Sequence, residues 1–142
     1  MIIWIASYPK SGNTWIRSFL TAYYFCENGI FDINKLNLIE DYPNKQFFKE
    51  KVKQGEIHKH WETSQKDIRD QKKVKFLKTH NSLITAFGND FTKPEYTLGV
   101  IYVIRDPRNV ITSVKNHNDL NTYDEALKFM QDENKVLEDY PH

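Results

Sequence analysis

The 142-residue sequence predicts an α/β domain of three layers, a central parallel sheet flanked by helices. Three observations predict it. Ile2-Ile3-Trp4-Ile5-Ala6 and Leu98 to Ile104 are apolar on successive residues rather than alternate ones, the pattern of strands covered on both faces inside a parallel sheet. Each run ends in a polar turn that opens a helical pattern, first around Gly12 and later at Asp106-Pro107. The length suits one domain, and 39% hydrophobic with 14% aromatic residues supplies a core and excludes a disordered chain.

The elements follow in order. After the first strand, Asn13 or Thr14 is placed to cap a helix whose apolar positions, Trp15, Phe19, Ala22 and Cys26, recur at helical spacing. Ile16, Leu20 and Tyr23 widen that stripe, only Arg17 interrupts its first two turns with charge, and Glu27-Asn28-Gly29 stops it. Between Ile30 and Lys73 a turn near Asp41-Tyr42-Pro43-Asn44 precedes helices expected at about Lys45 to Lys53 and Trp61 to Gln71. Lysines there alternate with Glu50, Glu56, Glu62, Asp67 and Asp70, which describes a solvated helical face. Val74 to Lys78 reads as a short strand leading into Thr79-His80-Asn81-Ser82, and residues Ser82 to Thr97 as a loop. Asp106 as cap and Pro107 at the first helical position start a helix that buries Val110, Ile111 and Val114 and ends around Asn116 to Asn118. Thr122 and Glu125 form a capping box for a last helix carrying Leu127, Met130, Leu137 and Tyr140.

Charge and cysteine content narrow the setting. Twenty basic against nineteen acidic residues leave a net charge of +1, so nothing global points to nucleic acid or a membrane surface, and any anion site must be local. Cys26 has no partner for an internal disulfide and sits in an apolar pattern, the reading being a core residue in a reduced, cytoplasmic setting. No signal peptide is expected, because Met1 to Ala6 lacks a basic leader and runs straight into the turn, and no apolar run in the sequence approaches roughly 18 residues. His58 and His60 lack Cys or carboxylate neighbours at ligand spacing and are read as structural or surface residues; His117 and His142 are read as non-functional.

The chemistry concentrates at the carboxyl ends of the three predicted strands: Lys10 to Trp15, Lys78 to His80, and Arg105 to Ser113. In a parallel sheet these ends share one edge, so distant residues converge there. The first cluster, Tyr8-Pro9-Lys10-Ser11-Gly12-Asn13-Thr14-Trp15, is a strand entering a glycine turn that opens a helix, a geometry that aims backbone N–H groups and a positive helix end at one anion. The expectation is a P-loop-like fold. Its lettering departs from G-x-x-x-x-G-K-[ST], because Lys10 precedes the only glycine by two positions.

It resembles instead the loop of the cytosolic-type sulfotransferase family, Y-P-K-S-G-[TN]-T-W, which serves the donor 3′-phosphoadenosine 5′-phosphosulfate (PAPS). Lys78-Thr79-His80 resembles that family's K-T-H motif. Tyr102 to Val110, with Ser113 eight positions after Arg105, resembles its 3′-phosphate motif, and the motifs occur in family order. The resemblance implies that the Ser11 to Thr14 backbone N–H groups, with the Ser11 and Thr14 hydroxyls, hold the 5′-phosphosulfate, including the turn residues Gly12 and Asn13. It implies that Lys10 offsets charge at the bridging oxygen, Trp15 faces the adenine, and Arg105 and Ser113 grip the 3′-phosphate. His80 becomes the general base toward a hydroxyl or amine of a small-molecule acceptor, Lys78 helps hold the sulfonate, and no metal is implied.

Two further readings stand beside this one. A catalytically inactive remnant that binds PAPS or 3′-phosphoadenosine 5′-phosphate (PAP) follows from a departure: three strands are few for such a sheet, and the family's glycine- and basic-rich C-terminal segment finds no match here. The expectation is therefore a domain over 1–142 that is truncated, incomplete at its C-terminus, with a homo-oligomer or a completing chain left open. A nucleotide kinase would use Asp106 to direct magnesium. Tyr42, Phe47, Phe48 and Trp61 are read either as core or as the wall of an apolar acceptor pocket.

Overall fold

The computed structural model describes residues 1–48, 52–53 and 55–132. Its centre is a parallel sheet in the order β2-β3-β1-β6, built from β1 (Ile2–Ser7), β2 (Glu40–Asp41), β3 (Lys75–Thr79) and β6 (Thr97–Val103). β3 and β6 flank β1 on its two sides, pairing Ala6 with Thr79 and with Tyr102, so their carboxyl ends finish level. The α/β class, the parallel sheet and the flanking helices are as the sequence predicts.

One face of the sheet carries the main core. Ile2 and Trp4 of β1 lie two residues apart and therefore on the same face, beside Leu77, the register partner of Trp4. They pack with Tyr42, Phe91, and Trp61 and Ile68 of α2 (Trp61–Asp70). Gln65, fully buried among them, donates to the Phe91 carbonyl at 2.6 Å, which answers its polarity. Tyr42 and Trp61 are thus core, with the partly buried Phe47 and Phe48 packed against that cluster.

Several sequence expectations are corrected. β6 is an edge strand: Leu98, Val100 and Tyr102 are 57%, 58% and 63% exposed, so its unbroken apolar run does not mean burial on both faces. In α1 (Asn13–Phe25) the buried residues are Asn13, Arg17 and Thr21, while Trp15, Phe19 and Tyr23 face outward. The cap of α1 is Gly12, with no side-chain hydrogen bond, rather than Asn13 or Thr14. Cys26, just past the helix, is half-buried rather than core. Of the span expected as a helix at about Lys45 to Lys53, the described residues show a 3-10 turn at Lys45–Phe47, and residues 49–51 lie outside those described. The loop after Ser82 contains a small antiparallel hairpin, β4 (Thr85–Ala86) with β5 (Asn89–Asp90).

The final helices follow their caps. α3 (Pro107–His117) starts with Asp106 accepting from the Arg108 N–H, and α4 (Tyr123–Gln131) starts with the Thr122–Glu125 capping box. Val110, Val114 and Ala126 form a second cluster, joined by Tyr8 of the turn after β1. Leu137 and Tyr140 lie outside the described residues.

Candidate active site

The turn after β1 is bent by two left-handed residues. Gly12 has φ 105° and Lys10 has φ 66°. Nothing lies within 4 Å of a Cβ built at Gly12, so glycine is required there by backbone angle and not by space. At Lys10 a side-chain-bearing residue holds the same region at a cost of roughly 1–2 kcal/mol. Such a turn makes a concave run of N–H groups, and the first-turn N–H groups of α1 add to it because a helix start has no internal acceptors for them. No acidic residue lies in that first turn to compete for an anion.

Buried polar side chains hold the turn against the sheet. Ser7, Ser11 and Asn13 are all buried, and Asn13 Nδ2 donates to the Ile5 carbonyl at 3.0 Å and to Ser7 Oγ at 3.1 Å. The side chain that sequence reasoning offered as a helix cap is therefore turned back onto β1. Asn13 Oδ1 has no hydrogen-bond partner among the described residues. Tyr8, whose phenol burial pushes up above its ordinary pKa, packs against Val110 and Val114 and so seats α3 beside the turn.

The second cluster meets the first through Ser7. His80 Nδ1 lies 2.8 Å from the Ser7 carbonyl and 3.3 Å from Ser7 Oγ. A carbonyl only accepts, so Nδ1 carries a proton in this contact, and in the neutral form with that tautomer Nε2 is the acceptor nitrogen. Thr79 is buried, its hydroxyl accepting from the Asn81 N–H at 3.1 Å. Lys78 Nζ lies 3.4 Å from Asp41 at the end of β2.

The third cluster also reaches the turn. Arg105 Nη1 donates to the Lys10 carbonyl at 3.2 Å, across 95 positions of chain. Asp106 is engaged elsewhere: the Arg108 side chain and then its N–H hold its carboxyl below the usual range, and the same pairing raises Arg108. Ser113 is half-buried on α3, next to Val114, and is not joined to Arg105 by a hydrogen bond among the described residues. Trp15 is 73% exposed, beside Phe19, and so presents its ring outward instead of starting a core stripe.

The structure therefore brings Lys10, Ser11, Gly12, Asn13, Thr14, His80 and Arg105 to one sheet edge through recorded bonds and register. Sequence reasoning missed Ser7, which links Asn13 to His80, and Asp41. Ser7 had one available signal, its position between an apolar strand and the turn; Asp41 lies in a two-residue strand too short to show a pattern.

Fold and site together define an α/β domain with a helix-opening glycine turn at the carboxyl edge of its parallel sheet. More specifically, the chain belongs to the sulfotransferase domain family, whose model matches residues 2–140. Comparisons with curated proteins and with solved structures return no match. Among the described residues no group of three or more His, Cys, Asp or Glu is arranged to hold a metal, and no helix is long and apolar enough to cross a membrane.

Proposed function

We propose that residues 1–142 form one PAPS-binding domain that transfers a sulfuryl group to the hydroxyl or amine of a small-molecule acceptor. The observation that carries the reading is the Arg105 contact to the Lys10 carbonyl, which supports a donor held at both ends, its 3′-phosphate by Arg105 and its 5′-phosphosulfate by the turn. Family membership supports the reaction class.

Each residue has a chemical task in this reading. The N–H groups of residues 12–14, with the Ser11 and Thr14 hydroxyls, bind the 5′ end of the donor, while the Ser11 N–H closes the turn onto the Tyr8 carbonyl at 3.2 Å. Trp15 stacks on adenine with its exposed face. Arg105 and Ser113 bind the 3′-phosphate. His80 Nε2 takes the acceptor's proton as the acceptor oxygen or nitrogen bonds to sulfur. The bond between sulfur and the bridging oxygen breaks with its electrons on that oxygen, Lys10 offsets the charge there, Lys78 holds the sulfonate, and PAP leaves. The Nδ1 contact to Ser7 favours the tautomer this step needs. A kinase reading loses support because Asp106 caps α3 and pairs with Arg108.

Calorimetry with PAP and with 5′-AMP tests the donor, expecting PAP to bind at least about tenfold more tightly, as one charge-assisted contact provides. Equal affinities overturn the 3′-phosphate assignment. Labelled PAPS with a mixed panel of phenols, alcohols and amines tests transfer; donor binding without transfer to any of them favours the inactive PAP-binding form. A rise in melting temperature with ATP and magnesium, but not with PAP, favours the kinase.

A further inference from the structure

Asp41 ends β2 at the same sheet edge as the turn and the K-T-H motif, and it is the register partner of Lys78. Its carboxylate spans two cations. One oxygen lies 3.1 Å from Arg17 Nη1 and the other 3.4 Å from Lys78 Nζ. The two cations are held very differently. Arg17 is buried, one turn along α1 from Asn13, and its Nη2 donates to the carbonyls of Ile39 at 2.6 Å and Leu36 at 3.3 Å. Burial lowers its pKa, and the Asp41 charge raises it again. Lys78 is an ammonium on a flexible stem, with only 16% of its side chain exposed.

From this geometry we propose that Asp41 is a positioning residue for sulfuryl transfer: fixed by Arg17, it steers the Lys78 ammonium to the sheet edge where the sulfonate binds. The proposal rests on the Lys78 assignment made above. Two features fit Asp41 for the task. The Lys78 contact is longer than the 2.7–2.9 Å typical of a tight charge-assisted bond, so the ammonium can be shared with an anion and is not consumed by the carboxylate. The trio also keeps one positive charge, two cations against one carboxylate, so Asp41 does not turn the edge repulsive to a sulfonate. Arg17 sits in the helix that opens at Gly12, so the clamp and the anion turn share one rigid element.

Two measurements on the full chain test this without needing an acceptor. In the first, reductive methylation followed by mass spectrometry reads Lys78 reactivity in the wild type, Asp41→Asn and Asp41→Glu. Labelling is expected to rise in Asp41→Asn and to return toward wild type in Asp41→Glu. In the second, calorimetry with PAPS and PAP reads the sulfonate's share of binding. Lys78→Ala is expected to weaken PAPS relative to PAP by about tenfold, as loss of one charge-assisted contact does. Asp41→Asn should do so by a smaller factor, leave PAP unchanged, and add nothing in the Lys78→Ala background. Unchanged Lys78 labelling in Asp41→Asn overturns the proposal, as does an equal loss in both backgrounds, which would mean Asp41 acts through the fold. If instead labelling responds but Lys78→Ala leaves the PAPS-to-PAP ratio untouched, the Lys78 assignment has failed and the proposal falls with it.

Discussion

The two ends of the candidate donor cleft are built in opposite ways. The turn after β1 is braced from within: Ser7, Ser11 and Asn13 are buried, Asn13 is bonded to β1, and Gly12 and Lys10 hold left-handed backbone. The start of α3 presents exposed cations instead. Arg105 has its contact to a turn carbonyl, and the Arg108 side chain is 89% exposed with Asp106 as its partner. On the proposed PAPS-binding reading, the difference teaches that affinity at the first end comes from preorganised backbone, and at the second from long side chains that a phosphate itself must order. Substitutions at the turn should therefore damage fold and function together, whereas those at α3 should damage affinity alone.

The largest expected effect falls between the two ends, at the proposed base His80. His80→Ala should lower sulfuryl transfer by about 10²–10⁴-fold while PAP affinity, read by calorimetry, stays near wild type. Lost PAP binding in that variant would make His80 a structural part of the turn through Ser7.

Next comes Arg105→Ala, which should weaken PAP by about 10- to 100-fold, in line with roughly 1.5–3 kcal/mol for a hydrogen bond to a charged group. Its melting temperature and its 5′-AMP affinity should not move. A clear fall in melting temperature would break the contrast by making the α3 end as structural as the turn.

Asn13→Ala sharpens the other side. It leaves the Ile5 carbonyl and Ser7 Oγ without their amide partner, and urea unfolding should show a loss of about 1–3 kcal/mol together with weaker PAP binding. Full stability in this variant would remove the claim that the turn is braced from within.

The smallest effect concerns acid. Asp106 is held below its ordinary range by Arg108, so the folded pKa is depressed. A depressed carboxylate contributes stability above its unfolded value of about 3.9 and loses it as pH falls through the folded value. Melting curves between roughly pH 5 and pH 2 should show a slightly shallower decline in Asp106→Ala than in wild type, small because the pair is exposed and screened. A steeper decline would reverse the sign of the linkage.

Much of this site can be read from adjacent residues, because strand, turn and cap are local. Ile2 to Ala6, the glycine turn, Asp106-Pro107 and the Thr122–Glu125 box each carry their signal within a few positions, and the structure places strand, turn and helix starts there. Membership of the sulfotransferase domain family was legible in the same way, from three motifs in order.

What the chain alone could not decide was which side of each element meets the rest. The helical spacing of α1 marked Phe19, Ala22 and Cys26 as part of its apolar stripe, yet Phe19 faces outward and Arg17 is buried, because carbonyls at Leu36 and Ile39 and the carboxylate at Asp41 compensate its charge. β6 is apolar throughout but ends the sheet, because burial of a strand depends on its neighbours and not on its own letters. Ser7 and Asp41 gained their contacts the same way, from partners 73 and 37 positions further on at His80 and Lys78. Local sequence determined the elements and their ends, since backbone angles and caps are set by near neighbours. Tertiary pairing decided burial and partnership, since both are properties of residues that only folding brings side by side.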